Sequence, residues 1–102
     1  MAQESVRTFT PRGSVGITAG PVSDRVVLPG NGKDQHLRVC NSGNVAVWIE
    51  FGGESVAATM SSMPILPGTA EIFDIGDKGV TYVAAITDTE NARIGFTSGE
   101  GT

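Results

Sequence analysis

Apolar and polar residues alternate along most of this chain, in short runs separated by glycine and proline. In residues 45–51, Val47 and Ile49 lie on one face of an extended chain, while Trp48 and Glu50 lie on the other. A period of two residues is the period of a β-strand with one buried face. The pattern therefore predicts strands rather than helices.

The spacing of these runs predicts the fold class. Fourteen glycines and five prolines leave few uninterrupted windows of helix length. Runs separated by turn residues and spaced roughly ten residues apart are typical of a β-sandwich or small barrel. We predict an all-β, single-domain β-sandwich or jelly-roll-like fold of about eight short antiparallel strands, whose order, jelly roll or immunoglobulin-like, stays open. The candidate strands are 14–19, 24–29, 36–40, 45–51, 69–75, 80–87 and 92–98.

The sequence predicts a structure for each of three connecting segments. Residues 41–44, Asn-Ser-Gly-Asn, are the best hairpin signal because Asn and Gly tolerate positive φ. Residues 87–91 are expected to form the turn between the last two strands. In residues 54–63 the spacing of Val56, Met60 and Met63 fits a helix, but the Val, Thr and Ser content favours a strand or an irregular loop.

Length and charge limit the possible functions. A chain of 102 residues supports one modest core, so we predict one domain over 14–102, preceded by a possible flexible N-terminal arm over 1–13, whose alternative is a frayed terminus. Charged residues make up 18%, below the average of roughly 25%, which favours a surface that meets another protein. A net charge of −4 with only seven Lys and Arg argues against nucleic-acid binding.

Cysteine usage and hydropathy exclude further classes. Cys40 is the single cysteine, so the chain forms no internal disulfide and no metal site built on several thiolates. The N-terminus has no apolar h-region, and no run approaches the roughly 20 apolar residues of a membrane span. We expect a protein that is made in the cytosol, remains soluble and contacts no membrane.

Candidate chemistry is sparse. His36 and Cys40 would share a face of a strand, but a Cys nucleophile needs an orienting third group and electropositive surroundings. Asp88 and Glu90 could ligate Ca²⁺, although a solvated hairpin turn fits them better than a calcium loop. Residues 30–34, Gly-Asn-Gly-Lys-Asp, lack the phosphate-loop spacing and are interpreted as a turn. We therefore predict no enzyme, no catalytic residue, no metal and no cofactor.

Residues 61–76 place large apolar side chains around two prolines. Pro64 and Pro67 fix φ and remove two N–H donors, which predicts a stiff extended crossover between sheets that ends in a turn at Gly68. Met63, Ile65 and Leu66 either plug the open end of a sandwich or face a partner subunit. Trp48 has the same two possibilities, as part of a sandwich face or as an exposed anchor.

Several separated motifs together resemble a known family. The succession RVCNSGNVAVWIEFG, SSMPILPGTAEIFDIG, VTYVAAIT and ARIGFTSGEG, within residues 38–101, is similar to the capsid decoration, or cementing, proteins of tailed bacteriophages, which are small β-sandwich head proteins. The resemblance implies a virion structural protein on the capsid exterior that bridges major capsid protein subunits, commonly as a homotrimer. It supplies no catalytic residue.

The resemblance directs attention to possible interface residues. These are Val6, Phe9, Trp48, Met63, Ile65 and Leu66. The expected partners are the major capsid protein and sister copies of this chain, with no nucleic acid. The alternative is a phage head-fibre, tail-associated or receptor-binding β-domain that acts as a binding module without a capsid lattice.

Overall fold

The computed structural model of the chain describes residues 9–32, 36–76 and 79–100. Within these ranges there is no α-helix, and none of the helical structure is long and apolar enough to cross a membrane. A 3₁₀ turn spans Pro29–Gly32. The eight strands are β1 (Thr10–Ala19), β2 (Asp24–Val27), β3 (His36–Asn41), β4 (Val47–Gly52), β5 (Met63–Ile65), β6 (Ala70–Asp74), β7 (Tyr82–Ile86) and β8 (Ala92–Glu100). The all-β prediction is confirmed.

The strands form two antiparallel four-stranded sheets packed as a sandwich. Sheet A has the order β1-β8-β3-β6, and sheet B has the order β2-β7-β4-β5. Every connection except β4–β5 passes from one sheet to the other. In an immunoglobulin sandwich the first two strands share a sheet, whereas here they do not. This interleaved order is that of a jelly roll, which settles the alternative that periodicity left open.

The core lies between the inner faces of the two sheets. Phe96 and Ile94 from β8 and Val39 from β3 are fully buried against Ile49 and Val83 from sheet B. Each such side chain contributes roughly 1.5–3 kcal/mol when it is removed from water. Along β8 and β4 these residues alternate with exposed or half-buried ones, as the period of two predicts, whereas three consecutive residues of β7, Val83 to Ala85, are buried.

An aromatic pair links the two sheets. The rings of Phe51 on β4 and Phe73 on β6 meet edge to face, with centroids 5.6 Å apart and planes at 66°. This T-shaped geometry is favourable for aromatic quadrupoles and adds to the stabilisation from buried area. The pair fixes the position of β6 relative to sheet B.

Both predicted hairpins are wrong. β3 lies between β8 and β6, so both of its hydrogen-bonding edges are occupied and it does not pair with β4. Residues 42–46 therefore carry the chain from sheet A to sheet B. Residues 87–91 likewise connect β7 in sheet B to β8 in sheet A, so they are a crossover and not a hairpin turn.

The first strand begins earlier than predicted. β1 starts at Thr10 and not at Ser14, and Thr10 and Pro11 lie opposite Glu100 and Gly99 of β8. A bulge between Pro11 and Gly13 shifts the register. Residues 10–13 of the predicted arm thus belong to sheet A, and residues 1–8 lie outside the described residues.

Four connections lie together at one end of the sandwich, which we call the four-loop end. They are residues 20–23, 42–46, 66–69 and 87–91, and the strand registers place them side by side. Backbone hydrogen bonds join them to each other or to neighbouring strands: Thr87 donates to Gly20 (2.9 Å), and Ser42 donates to Arg93 (3.1 Å). The fold therefore presents these loops as one surface.

Candidate functional site

The proline-containing segment joins the edge of sheet B to sheet A. β5 pairs only with β4, and Pro64 lies opposite Trp48. Proline is tolerated there because an edge strand has a side that needs no N–H donor. After β5 the chain crosses to β6 through Gly68, whose φ of 75° lies in the left-handed region that favours glycine. The turn at Gly68 is confirmed, but the crossover is shorter than predicted: Met63–Ile65 form the edge strand β5, which the sequence pattern does not predict, and only residues 66–69 pass between the sheets.

The apolar residues of this segment divide between core and surface. Ile65 lies opposite Val47 and is 0% exposed, so it belongs to the core. Leu66 is 58% exposed, and Met63 is 37% exposed. The interpretation as a plug is correct for Ile65, and its candidacy as an interface residue is wrong because the domain itself covers the whole side chain. Leu66 and Met63 remain available to a partner.

The buried side chain of Asn41 holds the proline-containing segment in place through hydrogen bonds. Its side chain is 0% exposed; Nδ2 donates to the carbonyls of Val45 (2.9 Å) and Ile65 (2.8 Å), and Oδ1 accepts from the N–H of Gly43 (2.9 Å). Its backbone N–H donates to the Thr69 carbonyl (2.9 Å), and its carbonyl accepts from Gly68 (2.8 Å). One buried amide therefore holds two loops of the four-loop end together.

The role of Asn41 was missed because the residue was assigned to a hairpin turn. The alternation along β3 does indicate that Asn41 is buried, since Leu37, Val39 and Asn41 occupy successive inward positions of this strand. A polar residue in register with buried apolar ones needs hydrogen-bond partners inside the protein. Those partners are carbonyls of residues distant in sequence, which periodicity does not reveal.

Trp48 faces away from the core. It lies between the buried Val47 and Ile49 on β4, and its cross-strand neighbours are Pro64 and Ile86. It is half-buried, as Ile86 is, whereas Pro64 is exposed. Together with the exposed Leu66, two residues after Pro64, these side chains form an apolar strip on sheet B beside the four-loop end. We call Ile86, Trp48, Pro64 and Leu66 the outer strip.

The β4–β5 loop, residues 53–62, covers part of the same face. Ala84 is 0% exposed although its register partners, Glu50 and Arg25, are both exposed, and Ala58 of the loop is 3% exposed. Neither alanine belongs to the main core cluster. The loop is held by Ala58 N–H to Ser23 Oγ (2.8 Å) and by Ser62 Oγ to Glu50 Oε1 (2.8 Å). The irregular loop expected for 54–63 is confirmed. The outer strip lies beside this loop and is not covered by it.

The remaining interface candidates lie elsewhere. Phe9 is half-buried at the opposite end of sheet A, where a Cβ added to Gly99 would meet its ring at 2.8 Å. Val6 lies outside the described residues. The candidates named from sequence therefore do not form one surface: Trp48, Leu66 and, at the edge of β5, Met63 lie on sheet B, whereas Phe9 packs against the end of β8.

The structure separates the residues considered for chemistry. His36 and Cys40 share the outer face of sheet A with Arg38 between them, as their spacing predicts. Four residues of strand separate their Cα atoms by about 13 Å, too far for a dyad.

Asp88 and Glu90 are exposed on the 87–91 crossover, and the described residues contain no group of three His, Cys, Asp or Glu side chains placed to hold a metal. Of residues 30–34, Gly30 has positive φ in the 3₁₀ turn, and Lys33 and Asp34 lie outside the described residues.

Comparison with known proteins adds information about the fold alone. No family model matches the chain, and no curated protein matches it. Among solved structures, the chain is similar to a de novo designed double-stranded β-helix, with a TM-score of 0.52 and 11% identity, over 87% of this chain and 100% of that one. It is also similar to the crystal structure of PirA, with a TM-score of 0.53 and 11% identity, over 85% of this chain and 93% of that one. These likenesses agree with a small two-sheet β-sandwich.

Proposed function

We propose that this chain is a structural virion protein that binds the outer surface of a bacteriophage capsid and stabilises it by bridging major capsid protein subunits. The observation that carries the proposal is the outer strip, where Leu66 is 58% exposed on a segment stiffened by two prolines. The sequence likeness over residues 38–101 supplies the identity of the proposed partner. The proposed activity needs no catalytic residue and no cofactor.

The local structure suits Leu66 to docking. Pro64 and Pro67 restrict the backbone on both sides, and Asn41 holds the preceding carbonyl, that of Ile65, at 2.8 Å. A side chain on a preorganised backbone loses little conformational entropy when it binds. Full burial of a leucine side chain contributes roughly 1.5–3 kcal/mol. Because 58% of Leu66 is exposed, covering that part contributes about 0.9–1.7 kcal/mol, which corresponds to about a 4- to 20-fold change in Kd.

The sheet edges favour docking through side chains rather than through strand addition. β5 has three residues and contains Pro64, and β2 has four residues. β1 carries a bulge, and Glu71 of the β6 edge lies opposite the buried Val39, so a charge points toward the core side. Short strands, proline, bulges and inward charges all discourage pairing with another chain. The faces and loops are therefore the surfaces left for a partner.

Cementing of this kind works by mass action. A protein that binds only the expanded shell lowers the free energy of that shell. Repetition over many equivalent sites, and over the subunits of a homotrimer at a local three-fold axis, converts modest affinities into strong stabilisation. The trimer and the bridging geometry are part of the proposal.

A co-sedimentation experiment tests the role of Leu66. Purified expanded capsids from a phage that encodes the chain, stripped of decoration, are incubated with wild-type protein, L66S or V27S. Val27 is a matched control because it is also exposed, at 40%, but lies at the far end of β2 on the same sheet. We expect Kd to rise about 4- to 20-fold for L66S and to stay within about twofold for V27S.

Other outcomes contradict parts of the proposal. Unchanged binding by L66S would show that the outer strip is not part of the interface with the capsid. A wild-type protein that ignores capsids would overturn cementing and favour the alternative, a head-fibre, tail-associated or receptor-binding module.

A further inference from the structure

We propose that a groove across the outer face of sheet A binds an extended peptide segment that carries a carboxylate side chain. The groove is shallow and open, has a volume of about 420 Å³, and lies on the opposite side of the sandwich from the outer strip. Its volume falls within the range of about 300–1,000 Å³ of small-ligand pockets. The inference does not depend on capsid binding.

A row of small residues forms the floor of the groove. The strand registers place Gly16, Gly95 and Cys40 side by side on β1, β8 and β3, and Ala70 of β6 continues this row beyond the lining of the groove. With strands about 4.8 Å apart, the row is about 14 Å long and crosses the whole sheet. That length corresponds to roughly four residues of an extended chain. A row of small residues that reaches both edges of the sheet suits a passing chain better than a compact ligand.

Gly95 is not required by the fold. It lies inside the central strand β8, between β1 and β3, and its φ is not positive. A Cβ built at Gly95 meets no atom within 4 Å. Glycine in a strand interior costs roughly 0.5–1 kcal/mol relative to alanine. A costly glycine without local need is typical of a site where another backbone approaches closely.

The walls of the groove favour an anion. The Arg93 guanidinium lies over Gly16, since a Cβ added to Gly16 would be 3.0 Å from its Nη2. The guanidinium makes no hydrogen bond or ion pair with any described residue. Hydroxyls of Ser14 and Thr97 lie 2.8 Å from each other along the other wall, next to Arg38. None of the described residues that line the groove is Asp or Glu. A free guanidinium fork beside hydroxyl donors matches a carboxylate.

An NMR titration tests the groove with the isolated full-length protein. The probe is the synthetic peptide Gly-Ser-Glu-Gly-Glu-Ser-Gly, and its control has glutamine in place of both glutamates. We expect saturable ¹H–¹⁵N shifts at residues 14–16, 40–42 and 93–97 with the glutamate peptide only. G95L, which adds a side chain where a Cβ meets no atom within 4 Å, and R93Q are expected to raise Kd at least about fivefold. R25Q, which removes an exposed arginine of sheet B, and G53L, at a surface position with equal space, are expected to leave it unchanged.

Several results would overturn the proposal. They are the absence of saturable shifts, equal shifts with the glutamine peptide, shifts spread over both sheets, and G95L and R93Q binding as tightly as wild type. Free glutamate that binds as tightly as the peptide would show a small-molecule site and overturn the peptide assignment. Because the titration contains no capsid, its outcome and that of the capsid experiment are separate.

Discussion

Replacement of Asn41 gives the sharpest test of how the four-loop end is built. N41A removes three side-chain hydrogen bonds, to Val45, Ile65 and Gly43. Each is worth roughly 0.5–1.5 kcal/mol net, and the buried Ile65 carbonyl left unpaired adds to the loss. We expect the free energy of unfolding to fall by about 3 kcal/mol, a large part of the roughly 5–15 kcal/mol of a typical domain. The corresponding fall in Tm is about 12–24 °C.

N41D is the matched variant because it keeps the shape and the acceptor for Gly43. An ionised carboxylate there cannot donate to the carbonyls of Val45 and Ile65, and burial beside these oxygens raises the pKa of the new carboxyl above its usual value of about 3.9. The folded state of N41D then binds more protons than the unfolded state. Relative to wild type, N41D is therefore least destabilised below about pH 4, and its deficit grows as pH rises through the folded-state pKa.

Urea unfolding followed by the fluorescence of Trp48, the single tryptophan, measures both variants against wild type between pH 4 and pH 8. A lower midpoint with an unchanged m-value is expected, since the variants change stability and not the surface exposed on unfolding. N41A within about 0.5 kcal/mol of wild type, or an N41D whose deficit does not vary with pH, would refute the role assigned to the buried amide.

Three further predictions concern stability, each measured by urea or thermal unfolding. I65A is expected to cost about 2–5 kcal/mol because it leaves a cavity, whereas L66A should change stability by less than about 0.5 kcal/mol; equal effects would contradict the division between core and surface. G68A is expected to lower the free energy of unfolding by about 1 kcal/mol because Gly68 has a positive φ. G95A is expected to raise it by roughly 0.5–1 kcal/mol, and a destabilised G95A would show that the fold needs this glycine. Deletion of residues 2–12 is expected to lower Tm, since it removes the start of β1, and an unchanged Tm would contradict that pairing.

The alternation of apolar residues predicts the strands well because it reflects local burial. Val47 and Ile49 face inward and Trp48 outward, as the pattern indicates. The pattern does not predict the start of β1, since Thr10, Pro11 and Gly13 pair with β8 despite a proline and a bulge that interrupt the period. Local pattern thus predicts which face a residue occupies better than it predicts where pairing begins.

Strand order could not be predicted from periodicity. The Asn-Ser-Gly-Asn segment favours a tight turn, but β3 already pairs on both edges with β6 and β8, which come much later in the chain. The buried amide of Asn41 bonds to Ile65, 24 residues away. Such contacts depend on the whole fold, so the difference between Ile65 and Leu66, and the groove at Gly95, became visible only in three dimensions.

The proposed function is tested most directly by the occupancy of wild-type protein on purified expanded capsids that lack their decoration. Quantitative co-sedimentation is expected to give saturable binding with a fixed number of copies per capsid and a higher temperature of capsid disruption. Binding that does not saturate, or capsids whose disruption temperature is unchanged at full occupancy, would contradict cementing.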